Sequence, residues 1–491
     1  MKEEKPNIQE LNPPEKHSSP VLDQIPFAHA LIIFGLALSV IIFGLRLGAG
    51  MHLPLFLAIV VSCVGAALNK MPWKDIQSAL FSGVLDGLPA SCILLLIGML
   101  TGLWAVGGAI PTLIYYGLGW LSPRYLAPTA CVLCGLASIM TGTSFGTIST
   151  IGLALMGIGE AMGVHAPLLA GAIVSGAYFG DKMSPLSDTT NVAPAVSGSN
   201  IYDHIKSMLY TTLPALILSL VALTFLGQGT SPSITSHDTI LQFKKTLMNT
   251  FNLGPVTLIP ALTVLVLAVK QMPPIPALTA SIGVSAVTAL VTQKISLNAV
   301  AVSMASGYVS TSGNPLADTL LSRGGMTAML PTILLILMAT GLGGVLRESG
   351  IVSVLVKRLL AVVSTSQGLV LSVISSCFLV LLASGNQMLA IILPGQAFKQ
   401  AFAARNIDPS VLSRTLEDAG TLGAALVPWS TAALFIQGML QVSPAQYAPY
   451  AILNWLTPLI AIIYAGLGAF IFPAKRSIGK DSEPAFGIKD L

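Results

Sequence analysis

Apolar residues in this chain come in long unbroken blocks, with charged residues confined to the gaps between them. No Asp, Glu, Lys or Arg occurs from Gly87 to Pro123, Tyr125 to Gly159, Leu359 to Phe398 or Ala419 to Ala474. A helical membrane crossing takes about 20 apolar residues, so each block is long enough for one or two passes. Shorter charge-free runs at Leu247–Val269, Gln271–Gln293 and Gly324–Leu346 fit one pass each. In hydrocarbon, every backbone polar group must be satisfied inside a helix or a closed barrel. The ten-residue alternation of a barrel is missing from the sequence. The pattern therefore predicts an all-α polytopic membrane protein with roughly ten to thirteen spans. The first retained span is expected over Phe27 to Leu45.

Polar residues interrupt this pattern in a few dense segments. The longest is Gly176-Ala177-Tyr178-Phe179-Gly180-Asp181-Lys182-Met183-Ser184-Pro185-Leu186-Ser187-Asp188-Thr189-Thr190-Asn191. An ionisable group in hydrocarbon costs roughly 2.5–3.5 kcal/mol on insertion scales and persists where it faces a cavity, a partner or an ion. The interruptions also recur in order along the chain. Thr101-Gly102-Leu103 returns as Thr340-Gly341-Leu342 (340 − 101 = 239), Asp181 as Asp418 (418 − 181 = 237), and Leu213-Pro214 in position as Thr457-Pro458 (457 − 213 = 244). The break Met140 to Thr147 is answered by Ala383 to Gln387, and Asp181 to Asn191 by Glu417 to Thr431. This divides the chain into an N-terminal tail at 1–25, expected to be disordered, a first repeat at 26–228 and a polar linker at 229–252. A second repeat at 253–473 and a C-terminal tail at 474–491 follow. Two further polar segments, Asp75 to Asp86 and Ser306 to Gly325, are short for spans and read as re-entrant hairpins or interfacial segments.

Broken apolar segments at matching positions of two halves point to the binding site of a secondary transporter. A broken helix exposes backbone carbonyls and oppositely polarised ends at membrane depth. Carbonyls, hydroxyls and carboxylates there can replace the water around a small cation. A desolvated carboxylate holds a proton more tightly, and a nearby cation displaces that proton. One such group therefore binds H⁺ or Na⁺ but not both, which is the minimum requirement for antiport. Asp181 is the first candidate, with Asp418 as its repeat mate; the alternative is a loop acid paired with Lys182. Asp188, Thr189, Thr190 and Asn191 offer hard oxygen ligands or, equally, an N-cap cluster for the next helix. Thr141, Thr143 and Ser144, with Asn386 in the second half, either ligate or pack small-residue helices. Lys182 reads as an internal counter-charge or a snorkelling side chain. Trp429 lies in the second polar break.

Composition changes little in this picture. The chain is 54% hydrophobic and 9% charged, and its mean hydropathy is +0.81. A net charge of +4 is too small to imply a nucleic-acid partner. Cys131 and Cys134 sit in an apolar run as small fillers, and no disulfide framework follows. Phosphate-binding loops, metal-ligand spacings and nucleophile triads are not seen, so the expectation is a carrier without a cofactor rather than an enzyme or an ATP-driven pump. Lys70, Lys74, Lys357, Arg358, Lys475 and Arg476 flank span ends; the positive-inside rule then places both termini in the cytoplasm of a cell (inner) membrane protein.

The stretch GAYFGDKMSPLSDTTNVAPAV, together with PTLIYYGL at Pro111 to Leu118 and DTLLSRGGM at Asp318 to Met326, resembles the NhaC-type sodium/proton antiporter family of the ion transporter superfamily. The resemblance runs from about Phe27 to Phe472. It implies two inverted repeats with hairpins and broken helices, a moving transport part against a scaffold, and often a homodimer. Na⁺ and H⁺ are the implied transported or coupling ions. One branch of that family exchanges malate for lactate, so a coupled organic-anion or amino-acid exchanger stands as the alternative. In that case Arg323 or Lys182 would bind a small carboxylate. Asn314, Asp318 and Arg323 fit the family motif, with Asp318 and Arg323 either an ion pair or substrate contacts. Where the family carries L-E-x-x-G, this chain has Leu346-Arg347-Glu348-Ser349-Gly350. Glu348 is thereby rotated by about 100° on a helix, and Arg347 stands in the acid's place.

Overall fold

A computed structural model describes residues 25–120, 122–228, 237–270 and 272–474. Apart from Ile25 and Ala474, the expected tails lie outside these residues, as do 229–236 of the expected linker. The first half runs α1 (Phe27–Arg46), α2 (His52–Leu68), α3 (Trp73–Val106), α4 (Ala109–Trp120), α5 (Leu126–Thr141), α6 (Ser144–Thr147), α7 (Leu153–Ala161), α8 (Ala166–Met183), α9 (Asp188–Ser197) and α10 (Ile201–Gln228). The second half opens with α11 (His237–Thr250), α12 (Ile259–Val269), α13 (Pro274–Thr292), α14 (Leu297–Ser306) and α15 (Pro315–Leu321). It continues through α16 (Met326–Glu348), α17 (Ile351–Ala361), α18 (Ser366–Ser384), α19 (Gln387–Ala404) and α20 (Pro409–Leu416), then α21 (Leu422–Ala424), α22 (Thr431–Leu440), α23 (Pro444–Tyr447) and α24 (Ile452–Leu467).

Among the described residues, seven helices are long and apolar enough to cross a membrane, or nine if two bent pairs count as one span each. This is fewer than the run lengths suggested. Polar turns cut several apolar blocks into pieces such as α6, α7 and α22, of 4, 9 and 10 residues, which cannot cross alone. One bent pair, Leu241–Thr250 with Pro255–Leu267, turns by 88°, so much of the expected linker is helical. Asp75 to Asp86 is not a hairpin: it is the first part of α3, whose 34 residues span about 51 Å at 1.5 Å per residue. Ser306 to Gly325 does fold back on itself. There the Tyr308 N–H donates to the Arg323 carbonyl at 3.1 Å, bringing the ends of the segment together.

Burial sorts the helices. The apolar windows of α1, α3 and α10 are 28% buried, against 61% for α16 and 50% for α18. The first set therefore shows most of its apolar surface to lipid and the second set forms the interior. Interior contacts use the small-residue packing that membrane helices favour, because backbones must approach closely where no hydrophobic effect drives association. A methyl group at Gly176 or Gly180 of α8 would collide with the backbone carbonyl of Cys131 or Gly135 of α5, and one at Gly83 of α3 with the carbonyl of Thr340 on α16.

The same break occurs in both halves. α5 ends at Gly142 with φ +69° and Thr143 caps the next helix; α18 ends at Gly385 with φ +60° and Asn386 caps α19. Ser187 precedes α9 as Ser430 precedes α22. These positions share one offset, 385 − 142 = 386 − 143 = 430 − 187 = 243. At that register Asp181 lies opposite Ala424 and Asp418 opposite Ser175, so the two acids are not mates as their spacing of 237 suggested.

Candidate functional site

Gly142 can turn the chain because its φ of +69° is open to a residue without Cβ. The Thr143 hydroxyl then accepts from the Gly146 N–H at 3.2 Å and starts α6. This geometry aims Ser144 at the last turn of α8. There the Ser144 hydroxyl donates to Oδ2 of Asp181 at 2.6 Å, and the Ser187 hydroxyl donates to Oδ1 at 2.6 Å. Asp181 is 6% exposed and its carboxylate is held by hydroxyls, not by a cation. The Ser187 hydroxyl also lies 3.1 Å from that of Thr189.

Around this acid is a cavity of about 220 Å³ lined by Thr143, Ser144, Asp181, Ser187, Asp188 and Thr189 from the first half, with Asn386, Gln387 and Thr431 from the second. An adjoining cavity of about 490 Å³ shares Thr143 and Asp188 and adds Thr141. The structure thus brings Asp181, Asp188, Thr189, Thr141, Thr143, Ser144 and Asn386 together, on broken helices of both halves. Thr190 and Asn191 do other work. Thr190 donates to the carbonyls of Asp181 and Lys182 at 3.2 and 3.0 Å, and Asn191 to those of Pro185 and Ser187 at 2.9 and 2.7 Å. Both bind up the carbonyls freed by the α8–α9 break.

Behind the cavity lies a second polar cluster. The alternative pairing of Asp181 with Lys182 is not what the structure contains: Lys182 points away from its neighbour and forms an ion pair with Asp418, both fully buried. Consecutive helical residues diverge by about 100°, which is why Asp181 and Lys182 serve different clusters. Nor does Lys182 snorkel. Thr211 of α10 donates to the same Asp418 oxygen at 2.9 Å, and His204, also on α10, contacts the Ser413 hydroxyl at 2.8 Å. Asp418 does not line the cavity. It sits in a π-helical turn, Glu417–Thr421, of the kind found at functional sites.

The remaining expected residues are elsewhere. Asp318 and Arg323 are not paired. Asp318 accepts from the Ser310 hydroxyl and the Ser312 N–H at 2.8 and 2.6 Å within its own turn, whereas Arg323 lies past the end of α15 and reaches Glu160 of α7 at 2.8 Å. Asn314 caps α15 by accepting from the Ala317 N–H at 3.3 Å. Glu348 bonds Arg347 at 3.0 Å, and Arg347 bonds Asp86 of α3 at 2.8 Å, a partly exposed clamp between α16 and α3. Trp429 donates its indole N–H to the Leu382 carbonyl at 2.9 Å and does not line the cavity. Ser187 is one more hydroxyl of the polar segment; it holds the position before α9 without a side-chain cap bond and spends its hydroxyl on Asp181. Thr211, His204 and Glu160 gave no signal, because they are isolated on otherwise ordinary helices.

Fold and site together describe a multi-pass α-helical membrane protein whose broken helices converge on a buried carboxylate. Its sequence relatives agree with that class. A model of the Na⁺/H⁺ antiporter family matches residues 176–469. The chain is 37% identical to the Na⁺/H⁺ antiporter NhaC of Bacillus subtilis over 439 residues, 89% of this chain and 97% of that protein. It is 35% identical to NhaC of Alkalihalophilus pseudofirmus, over 89% of this chain and 95% of that one. The malate-2H⁺/Na⁺-lactate antiporter of Bacillus subtilis is 34% identical over 92% of this chain and 96% of its own length. The chain belongs to the Na⁺/H⁺ antiporter family.

Proposed function

We propose that this chain is a secondary Na⁺/H⁺ antiporter in which the Asp181 carboxylate binds Na⁺ and H⁺ alternately. The observation that carries this reading is a buried acid held by two hydroxyls, with no cationic side chain bonded to it, at the wall of a cavity built from broken helices. A buried ionised carboxylate needs a compensating charge. Its neighbour in the chain, Lys182, is already engaged by Asp418, so the compensating charge is the transported one. Oxygens of Ser144, Ser187, Asp188 and Asn386 complete a shell suited to a hard cation. Asn for Asp181 keeps the shape and removes the charge; in proteoliposomes Asp181→Asn should lose Na⁺-dependent proton flux while expressing normally. Flux at the level of the unsubstituted protein would refute the assignment.

A second reading is exchange of a small carboxylate, with Na⁺ or H⁺ as the coupling ion. A cavity of about 630 Å³ lined by Thr101, Glu160, Tyr308, Arg323 and Gln441 supports it, because an Arg fork suits a carboxylate and Glu160 would release it when substrate arrives. Lys182 is not available for this task. Labelled malate or lactate offered to the same vesicles decides: saturable counterflow favours this reading, and its absence favours simple cation exchange. The positive flanks Lys70, Lys74, Lys357 and Arg358 support cytoplasmic termini. Division into repeats at 26–228 and 253–473, inverted and assembled as a homodimer, is the arrangement we favour for the whole carrier.

A further inference from the structure

The buried acid next to Asp418 is unused by the mechanism above. Glu417 is completely buried, and neither of its carboxyl oxygens has a hydrogen-bond partner. It opens the π-helical turn Glu417–Thr421. The hydroxyls of Thr421, on the same turn, and of Thr189 of α9 stand beside it; that of Thr421 is buried without a partner, and that of Thr189 also lies 3.1 Å from the Ser187 hydroxyl. The charged and titratable groups around it are Asp181 and Lys182 on α8, Asp418 on its own turn and Cys377 on α18. His204 stands beyond Lys182, and Arg414 beyond Asp418. Lys182 is committed to Asp418.

Leaving a carboxylate bare in the interior is costly, and a protonated carboxyl would still seek a bond for its O–H and its carbonyl oxygen. A fully buried carboxylate whose two oxygens lack a partner, on the same turn as an equally unpartnered Thr421 hydroxyl, offers free oxygens to a cation. Hard monovalent and divalent cations take such oxygen sets, and one carboxylate with neutral hydroxyls matches a single positive charge. We propose that Glu417, Thr421 and Thr189 form a second, occluded Na⁺ site. Thr189 also lines the Asp181 cavity, so the two sites share a wall and an ion reaches the inner one through the outer. This deepens the antiporter reading and rests on it.

Equilibrium binding of radiolabelled Na⁺ to the purified full-length protein tests the proposal, with Li⁺ and K⁺ as competitors. Two Na⁺ per chain are expected, falling to one in Glu417→Gln and to one in Asp181→Asn. Thr421→Val, nearly the same shape, should weaken one of the two sites tenfold or more, and it serves if the Gln variant does not fold. One Na⁺ per chain, lost only in Asp181→Asn, overturns the second site and leaves the antiporter reading intact. Unchanged binding in both Glu417→Gln and Thr421→Val also overturns it. Absence of Na⁺-driven proton flux from the unsubstituted protein instead refutes the antiporter reading itself.

Discussion

Lys182 and Asp418 form an ion pair sealed inside the protein. Both are fully buried, and Thr211 supplies a further donor to the acid. Removing one partner of such a pair leaves a bare charge and costs about 3–5 kcal/mol, whereas replacing both by apolar residues of similar volume is often neutral. Lys182→Met alone should therefore lower thermal stability in detergent sharply. The double variant Lys182→Met/Asp418→Leu should recover most of the loss; equal melting of single and double variants would show that the pair carries no coupling. Sequence alone could place Lys182 beside Asp181 but not opposite Asp418. The two are 236 positions apart, and only the packing of the π-helical turn Glu417–Thr421 against α8 brings them together.

At the scale of elements, the two breaks after α5 and α18 depend on glycine. Gly142 and Gly385 hold φ of +69° and +60°, a region that costs other residues about 1–2 kcal/mol. Gly142 is also crowded by Leu186, 2.8 Å from where a Cβ would stand, while Gly385 would meet the Trp429 carbonyl at 3.0 Å. Gly142→Ala and Gly385→Ala should each reduce transport by shifting Thr143 or Asn386 at the cavity wall. The first is expected to be the more damaging, because its neighbour approaches more closely. Initial rates of Na⁺-driven proton flux, normalised to protein in the vesicles, measure this. Both breaks were legible as Gly among polar residues inside apolar runs. The continuity of α3 through Asp75 to Asp86 was not, because polar residues on a helix face and polar residues in a hairpin look alike along one chain.

For the whole molecule, the cavity at Asp181 and the larger one at Arg323 lie toward opposite ends of α22: Thr431 lines the first, and Leu440 and Gln441 line the second. Carriers that expose one site to each side in turn need a barrier between two such vestibules. The stacked rings of Phe145 and Phe435, 4.3 Å apart, stand on α6 and α22 beside the first cavity. A cysteine at Gln387 should react with a membrane-impermeant maleimide from one face of the vesicle only, and Na⁺ should slow the reaction; labelling from both faces at equal rates would contradict a single-sided cavity. What the sequence determined by itself was the solvent and the punctuation. Long apolar runs can only be helices in lipid, because unsatisfied backbone is too costly there, and the polar breaks in them mark Asp181, Ser144 and Asn386. What only the tertiary structure decided was pairing: which acid meets a lysine, which meets hydroxyls, and which meets nothing. Lys182 and Asp418 lie 236 positions apart, and Ser144 and Asp181 lie 37 apart across a turn; the local pattern of a single chain carries no information about such contacts.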